Sequence, residues 1–361
     1  MKSMFGAPRL WKDSETLNNR VKLMSNVLDK NERNGFIDFW KLVAAVGVVL
    51  VHAPFQGIIG KITTSIGVCG VGFFYLISGY ACYGDRDVMC KKILKRLKRN
   101  GIITVVTLVI YLIFAIVETK ITGEFNVWSR QFRNPQLYIR MILLGDFEFM
   151  YGSALWFMIA LLYSYIIFYF IVKFNLKKLV YIATPIFLII RIVVETYVNS
   201  YDANWHISAN LIVGALPMML LGYLIAEKKE KILNLPNFAV ILLCLISTLG
   251  MFVTVNLKIG HIDISQIFKI LCAASIFVFS LKTKAPRFIK PFAKLGREDS
   301  LYIYLCHFLI IVILADLMYG WNVSERIIQW QLPLASVVFS LIFARILSVV
   351  FRKISLRFQK V

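Results

Sequence analysis

The chain has 361 residues, of which 59% are apolar and 17% charged, against about 45–50% and about 25% in a typical soluble domain. Water cannot hide that much apolar surface at this length, whereas lipid accepts it. The formal charge of +21 would suggest nucleic acid as a partner of a soluble protein. Here the excess falls in segments on one side of the predicted spans, and no aromatic-interleaved basic surface is left for nucleic acid.

Residues 1–35 are polar and basic, without the central apolar stretch of a signal peptide, and read as a cytoplasmic arm. Leu17, Val21, Met24 and Leu28 recur at helical spacing after the capping candidates Asp13 and Ser14. This predicts either a short helix on the inner membrane surface or an amphipathic docking segment. Apolar runs follow near 36–55, 64–83, 101–119, 155–173, 179–198, 207–225, 238–257, 265–281, 299–319 and 334–351. Each is close to the roughly 17–25 residues that a helix needs to cross hydrocarbon.

The expectation is an all-α integral membrane protein: a bundle of about ten transmembrane helices over 36–351, with a cytoplasmic tail at 352–361. Inner segments then carry 30 Lys and Arg, outer segments 7, and the spans 4, which places both termini in the cytoplasm of a plasma-membrane protein. In the outer segment 120–154, the run Ile139–Gly145 is too short to cross. It is either a re-entrant piece or, with Phe147, Phe149, Tyr151, Trp156 and Phe157, part of an aromatic interface belt. The six cysteines have neither metal-ligand spacing nor an oxidising location and read as small core residues.

Ionisable groups inside spans are costly and mark function or pairing. Lys41 and His52 are eleven residues apart in the first span, within about 20° on one helix face and about 16 Å apart along the axis. Asp38, one turn below, can pair with Lys41. The spacing suits an extended cofactor entering from the cytoplasm, its phosphates near Lys41 and its reactive end near His52. With a reference pKa near 6.5, His52 suits a general base. Lys41 snorkelling to the inner surface and His52 as a hydrogen-bonded interfacial group are the simpler alternatives.

Gly72, Ser78 and Gly79 allow close helix approach in the second span. Arg96 and Arg99 share a helix face and can clamp phosphate, or simply anchor a topogenic basic run. Arg191 and Glu195 read as a structural ion pair, whereas Lys269 and Arg345 have no partner near in sequence. His307 sits mid-span as a functional or helix-contact histidine, and its neighbour Cys306 points to another face. His206 and His261 fall in outer loops and make no metal signature with His52, so no metal is expected.

Several stretches in order resemble the acyltransferase-3 family of bacterial membrane O-acyltransferases. They are Asp38–Lys41 with His52, Gly72–Tyr80, Arg96–Arg99, Leu155–Phe157 and Ser300–His307. Lys41 stands where arginine is commoner in that family, and the SGNH esterase-like domain fused to some members is absent. The resemblance implies ten spans and acetyl-CoA, or another acyl-CoA, as acyl donor. It implies a hydroxyl of a surface glycan as acceptor, His52, Lys41 and His307 at the catalytic centre, and Lys41, Arg96, Arg99 and Ser78 around the donor. A competing reading is a polysaccharide exporter whose intramembrane charges line a path; the lack of an inverted repeat speaks against it.

Overall fold

Asn34 starts the first span. Its Oδ1 accepts hydrogen bonds from the Phe36 and Ile37 amides at 2.9 and 3.4 Å, satisfying donors that a helix start leaves orphaned. The helix α1 (Gly35–His52) then runs into α2 (Gly57–Tyr80) through a short turn. The two touch backbone to backbone: a Cβ on Gly67 would strike the Gly47 carbonyl, and one on Gly70 the Ala44 carbonyl. Small residues at such spacing let membrane helices approach closely.

The computed structural model describes residues 34–254, 258–259 and 262–358. The predicted surface helix near the N-terminus and His261 lie outside them. Three long helices overrun their predicted spans. Asp85 caps α3 (Arg86–Ile121), accepting from the Val88 amide at 3.1 Å, and the basic run forms the first turns of this same helix. Hydropathy marks where lipid begins; the helix continues because nothing between Arg86 and Gly101 breaks it. Near the C-terminus α12 (Lys290–Gly320) and α13 (Glu325–Phe358) also extend past their predicted spans, α13 with Pro333 inside it.

The outer segment folds as α4 (Phe125–Arg130) and α5 (Pro135–Leu144), the latter opened by Asn134 and Pro135 and closed by Gly145 at φ 67°. The Ile139–Gly145 run is thus the second half of a ten-residue helix with Ile139, Ile142 and Leu143 exposed. Phe147 and Phe157 are buried in the main core, and the Trp128 indole donates to the Phe149 carbonyl at 2.6 Å. Phe147 and Phe157 therefore pack inward and do not form part of an interface belt, whereas Phe149, Tyr151 and Trp156 are half-buried against the same core.

Next come α6 (Trp156–Lys173) and α7 (Lys177–Tyr201). The sixth predicted span is broken. A π-helical turn, Leu211–Ala215, precedes α8 (Leu216–Glu227), and Asn210 caps that turn through the Ile212 and Val213 amides. Pro217 has no N–H to give the carbonyls one turn back. Arg191 replaces it: Nη1 donates to the Gly214 and Val213 carbonyls at 2.8 and 3.3 Å, while Nη2 pairs with Glu195 at 2.6 Å. The anticipated ion pair is present, and it also repairs the broken helix. A short α9 (Lys229–Leu233), then α10 (Asn237–Thr254), a two-residue hairpin of β1 (Lys258–Ile259) and β2 (Ile262–Asp263), and α11 (Ser265–Lys282) complete the order.

Among the described residues nine helices are long and apolar enough to cross a membrane; the π turn with α8 spans Leu211–Glu227 and is shorter. The protein is a multi-pass membrane protein. Its most extensive helix contact is between α1 and α12, which run parallel. Gly296 lies on the Asp38 carbonyl at one end, and His307 lies on His52 at the other. Leu42, Ala45 and Val49 fill the seam against Ile303, Cys306 and Ile310. Next to it, α13 runs antiparallel to α12. Arg345 reaches Glu298 at 2.6 Å and the buried Asp299 at 3.3 Å, partners that a local reading of the sequence does not find. Lys269, by contrast, does have a partner near in sequence, which the sequence reading missed: it donates to Gln266, three residues earlier, at 3.2 Å.

Candidate active site

The last residue of α1 and the middle of α12 meet at two imidazoles. The rings of His52 and His307 are 5.2 Å apart, with Phe308 edge-on to His52 at 5.5 Å. Their environments differ. His307 is fully buried, whereas His52 is exposed at the helix terminus. The His307 Nδ1 lies 2.6 Å from the Tyr304 carbonyl. A carbonyl only accepts, so in the neutral ring the proton sits on Nδ1. Nε2 then keeps its lone pair, and it is buried without a hydrogen-bond partner. Cys306 points elsewhere, toward the Ser340 carbonyl of α13 at 3.8 Å.

A train of aromatic rings extends from this pair. Tyr304 is 5.6 Å from His307, Phe157 is 4.6 Å from Tyr304, and Tyr75 is 4.7 Å from Phe157. Phe74 touches both Tyr304 and Phe157, and the Tyr75 hydroxyl donates to the Phe157 carbonyl at 3.2 Å. Four of the five sequence stretches singled out above therefore meet at one place, although they lie on four different helices.

The basic residues expected around the donor make separate contacts, away from this pair. Lys41 pairs with Asp38 at 2.8 Å, its side chain 25% exposed. Arg96 donates to the Ala81 carbonyl just past the end of α2, at 2.6 Å. Arg99 is exposed and reaches the Asn100 side chain at 3.4 Å. Ser78 returns its hydroxyl to the Phe74 carbonyl at 2.9 Å, and Gly79 beside it meets the Met219 backbone. The structure thus brings His52 and His307 together, whereas the contacts made by Lys41, Arg96, Arg99 and Ser78 are with other residues and not with that pair. A cavity of about 30 Å³ between α1, α2 and α11, lined by Trp40, Ala44, Cys69 and Phe73, touches neither Lys41 nor His52.

Residues 34–353 match the family model for the acyltransferase domain of acyltransferase-3 proteins, and no other domain is found. The chain belongs to the acyltransferase-3 family. No curated protein and no solved structure matches it. It is therefore a membrane-embedded acyltransferase, and the histidine pair lies within the matched region.

This acyltransferase has a second polar centre that chain-local reasoning misses. At the same end of the bundle as His52, Asp146, Glu148 and His206 come together from the outer segment and the loop after α7. The carboxylates precede the histidine by about sixty positions, and no spacing signal links them. Asp146 is also bound by Arg140, and the Trp205 indole donates to Glu148 at 3.0 Å. Burial pushes the His206 imidazole below its ordinary pKa, and the carboxylates of Asp146 and Glu148 pull in the opposite direction. Trp205 stacks on His206 at 3.8 Å and meets Trp156 edge-on at 6.4 Å. Trp156 is 6.5 Å from Tyr75, so the aromatic train joins the two centres.

Proposed function

We propose that the protein moves an acyl group, acetyl in the simplest case, from cytoplasmic acetyl-CoA or another acyl-CoA to a hydroxyl of an extracytoplasmic glycan. The observation that carries this reading is the His52–His307 pair. An accessible imidazole sits beside a buried one whose tautomer leaves a basic nitrogen without a partner. Lys41 lies about 16 Å away along α1, and Arg96 and Arg99 lie in the first turns of α3; together they would hold the phosphates of an extended thioester carrier while its acyl end reaches His52. Ser78 would border that path.

Two routes use the same groups. In the first, His52 takes the proton of the acceptor hydroxyl as its oxygen attacks the thioester carbonyl. The C–O bond forms, the C–S bond breaks, and the departing thiolate collects the proton. In the second, the His52 nitrogen attacks the thioester, expels the thiol and carries the acyl group until the hydroxyl displaces it. His307 would take up or orient the proton in either case.

The parallel packing of α1 and α12 supports ten crossings. Two parallel helices are separated by an even number of crossing steps. If the Leu211–Glu227 segment did not cross, α12 would run opposite to α1. The 30-to-7 division of Lys and Arg between the two sides then favours cytoplasmic termini in a plasma-membrane protein.

The test is acyl transfer by purified protein from labelled acetyl-CoA, with and without a glycan acceptor. His52→Ala is expected to lower transfer by about 10²–10⁴-fold; a wild-type rate would remove His52 from the reaction. Label retained on the acid-quenched wild-type protein, and absent from His52→Ala, would select the acyl-histidine route.

A further inference from the structure

The Asp146–Glu148–His206 centre has the geometry of an ion site and not of a hydrogen-bonded one. His206 is 1% exposed, yet neither of its ring nitrogens makes a hydrogen bond. Its Nε2 points between two carboxylates, 3.3 Å from Asp146 Oδ1 and 3.4 Å from Glu148 Oε1. A charge-assisted hydrogen bond here would close to about 2.7–2.9 Å. The three ligand atoms lie within 4.8 Å of one another. Two ligands of a tetrahedral ion with bonds of about 2.1 Å are separated by about 3.4 Å, which matches both spacings from His206 Nε2 to the carboxylate oxygens.

The surroundings also fit. Arg140 takes the far oxygen of Asp146, leaving Oδ1 toward the centre. The Glu148 amide donates to that Oδ1 at 3.1 Å, and the Trp205 indole donates to Glu148 Oε1 at 3.0 Å. These are the outer hydrogen bonds that orient ligating carboxylates. One imidazole with two carboxylates suits a borderline divalent ion better than calcium or magnesium, which prefer oxygen alone. The Glu148 side chain is 46% exposed, so a fourth position opens to water on that side.

We propose that Asp146, Glu148 and His206 form a binding site for one divalent ion of the zinc class, clipping the outer segment onto the loop that follows α7. An ion there would hold Trp205 against Trp156 and so fix the outer end of the aromatic train. The site is independent of how acyl transfer proceeds.

The test uses full-length protein purified in detergent without a polyhistidine tag, stripped with chelator and titrated with Zn²⁺. Bound metal is counted by mass spectrometry, and Co²⁺ substitution is followed by visible absorption. One ion per chain at micromolar free metal, with a tetrahedral Co²⁺ spectrum, is expected. His206→Ala and the more exposed Glu148→Gln are each expected to weaken binding at least about 100-fold, whereas His52→Ala leaves it unchanged. No binding by the wild-type protein, or unchanged binding in Glu148→Gln, overturns the site. Metal content is read directly, so the outcome does not depend on whether acyl transfer survives.

Discussion

Arg191 and His307 are both ionisable groups inside the bundle, and they are treated in opposite ways. Arg191 is well partnered, by Glu195 and by the Val213 and Gly214 carbonyls one turn before Pro217, which itself has no N–H to donate. His307 has one nitrogen fixed on the Tyr304 carbonyl and the other left bare next to His52. A polar group in hydrocarbon is costly unless bonded. The satisfied one serves the architecture, and on the proposed mechanism the half-satisfied one keeps a nitrogen available to a reacting group.

The comparison can be broken by mutation. His52→Ala should lower acyl transfer by about 10²–10⁴-fold, the usual share of a general base, with folding retained; thermal unfolding in detergent together with labelled acetyl transfer separates the two. Arg191→Leu should do the reverse. Leaving Glu195 and the π-turn carbonyls unpaired costs about 3 kcal/mol, seen as a lower unfolding temperature with specific activity per folded molecule near wild type. A large activity loss in stable Arg191→Leu would erase the distinction.

Smaller effects sharpen it. Gly296→Ala places a methyl group on the Asp38 carbonyl and should cost about 1–3 kcal/mol as α1 and α12 part. Because the same two helices carry His52 and His307, transfer should fall along with stability. Lys41→Ala should raise KM for the acyl-CoA about tenfold, the worth of one charged hydrogen bond, with kcat little changed. Unchanged KM would leave Lys41 as only the partner of Asp38.

Helix existence was legible because lipid imposes one rule on every span: a long apolar run with its backbone satisfied internally. Helix ends were not. The basic turns of α3 carry no breaker, Pro291 sits where a helix start tolerates it, and α13 continues through Pro333, so the helices outrun the hydropathy signal. The pairing of Lys41 with Asp38 and of Arg191 with Glu195 could be read from spacings of three and four. The partners of Arg345 could not, since Glu298 and Asp299 arrive from another helix. His52 and His307 were each visible as misplaced polar groups, but nothing in the sequence brought them within 5.2 Å.

Composition, the hydropathy runs and the ordered motifs were enough to determine a membrane-embedded bundle and its family, because those properties are local or additive along the chain. Only the packing of helices decided that two distant histidines lie side by side and that the sixth span breaks near Pro217. It also decided that Asp146, Glu148 and His206 face one another. Each depends on which faces meet, and that is set by glycines such as Gly47, Gly67 and Gly296 that let backbones touch.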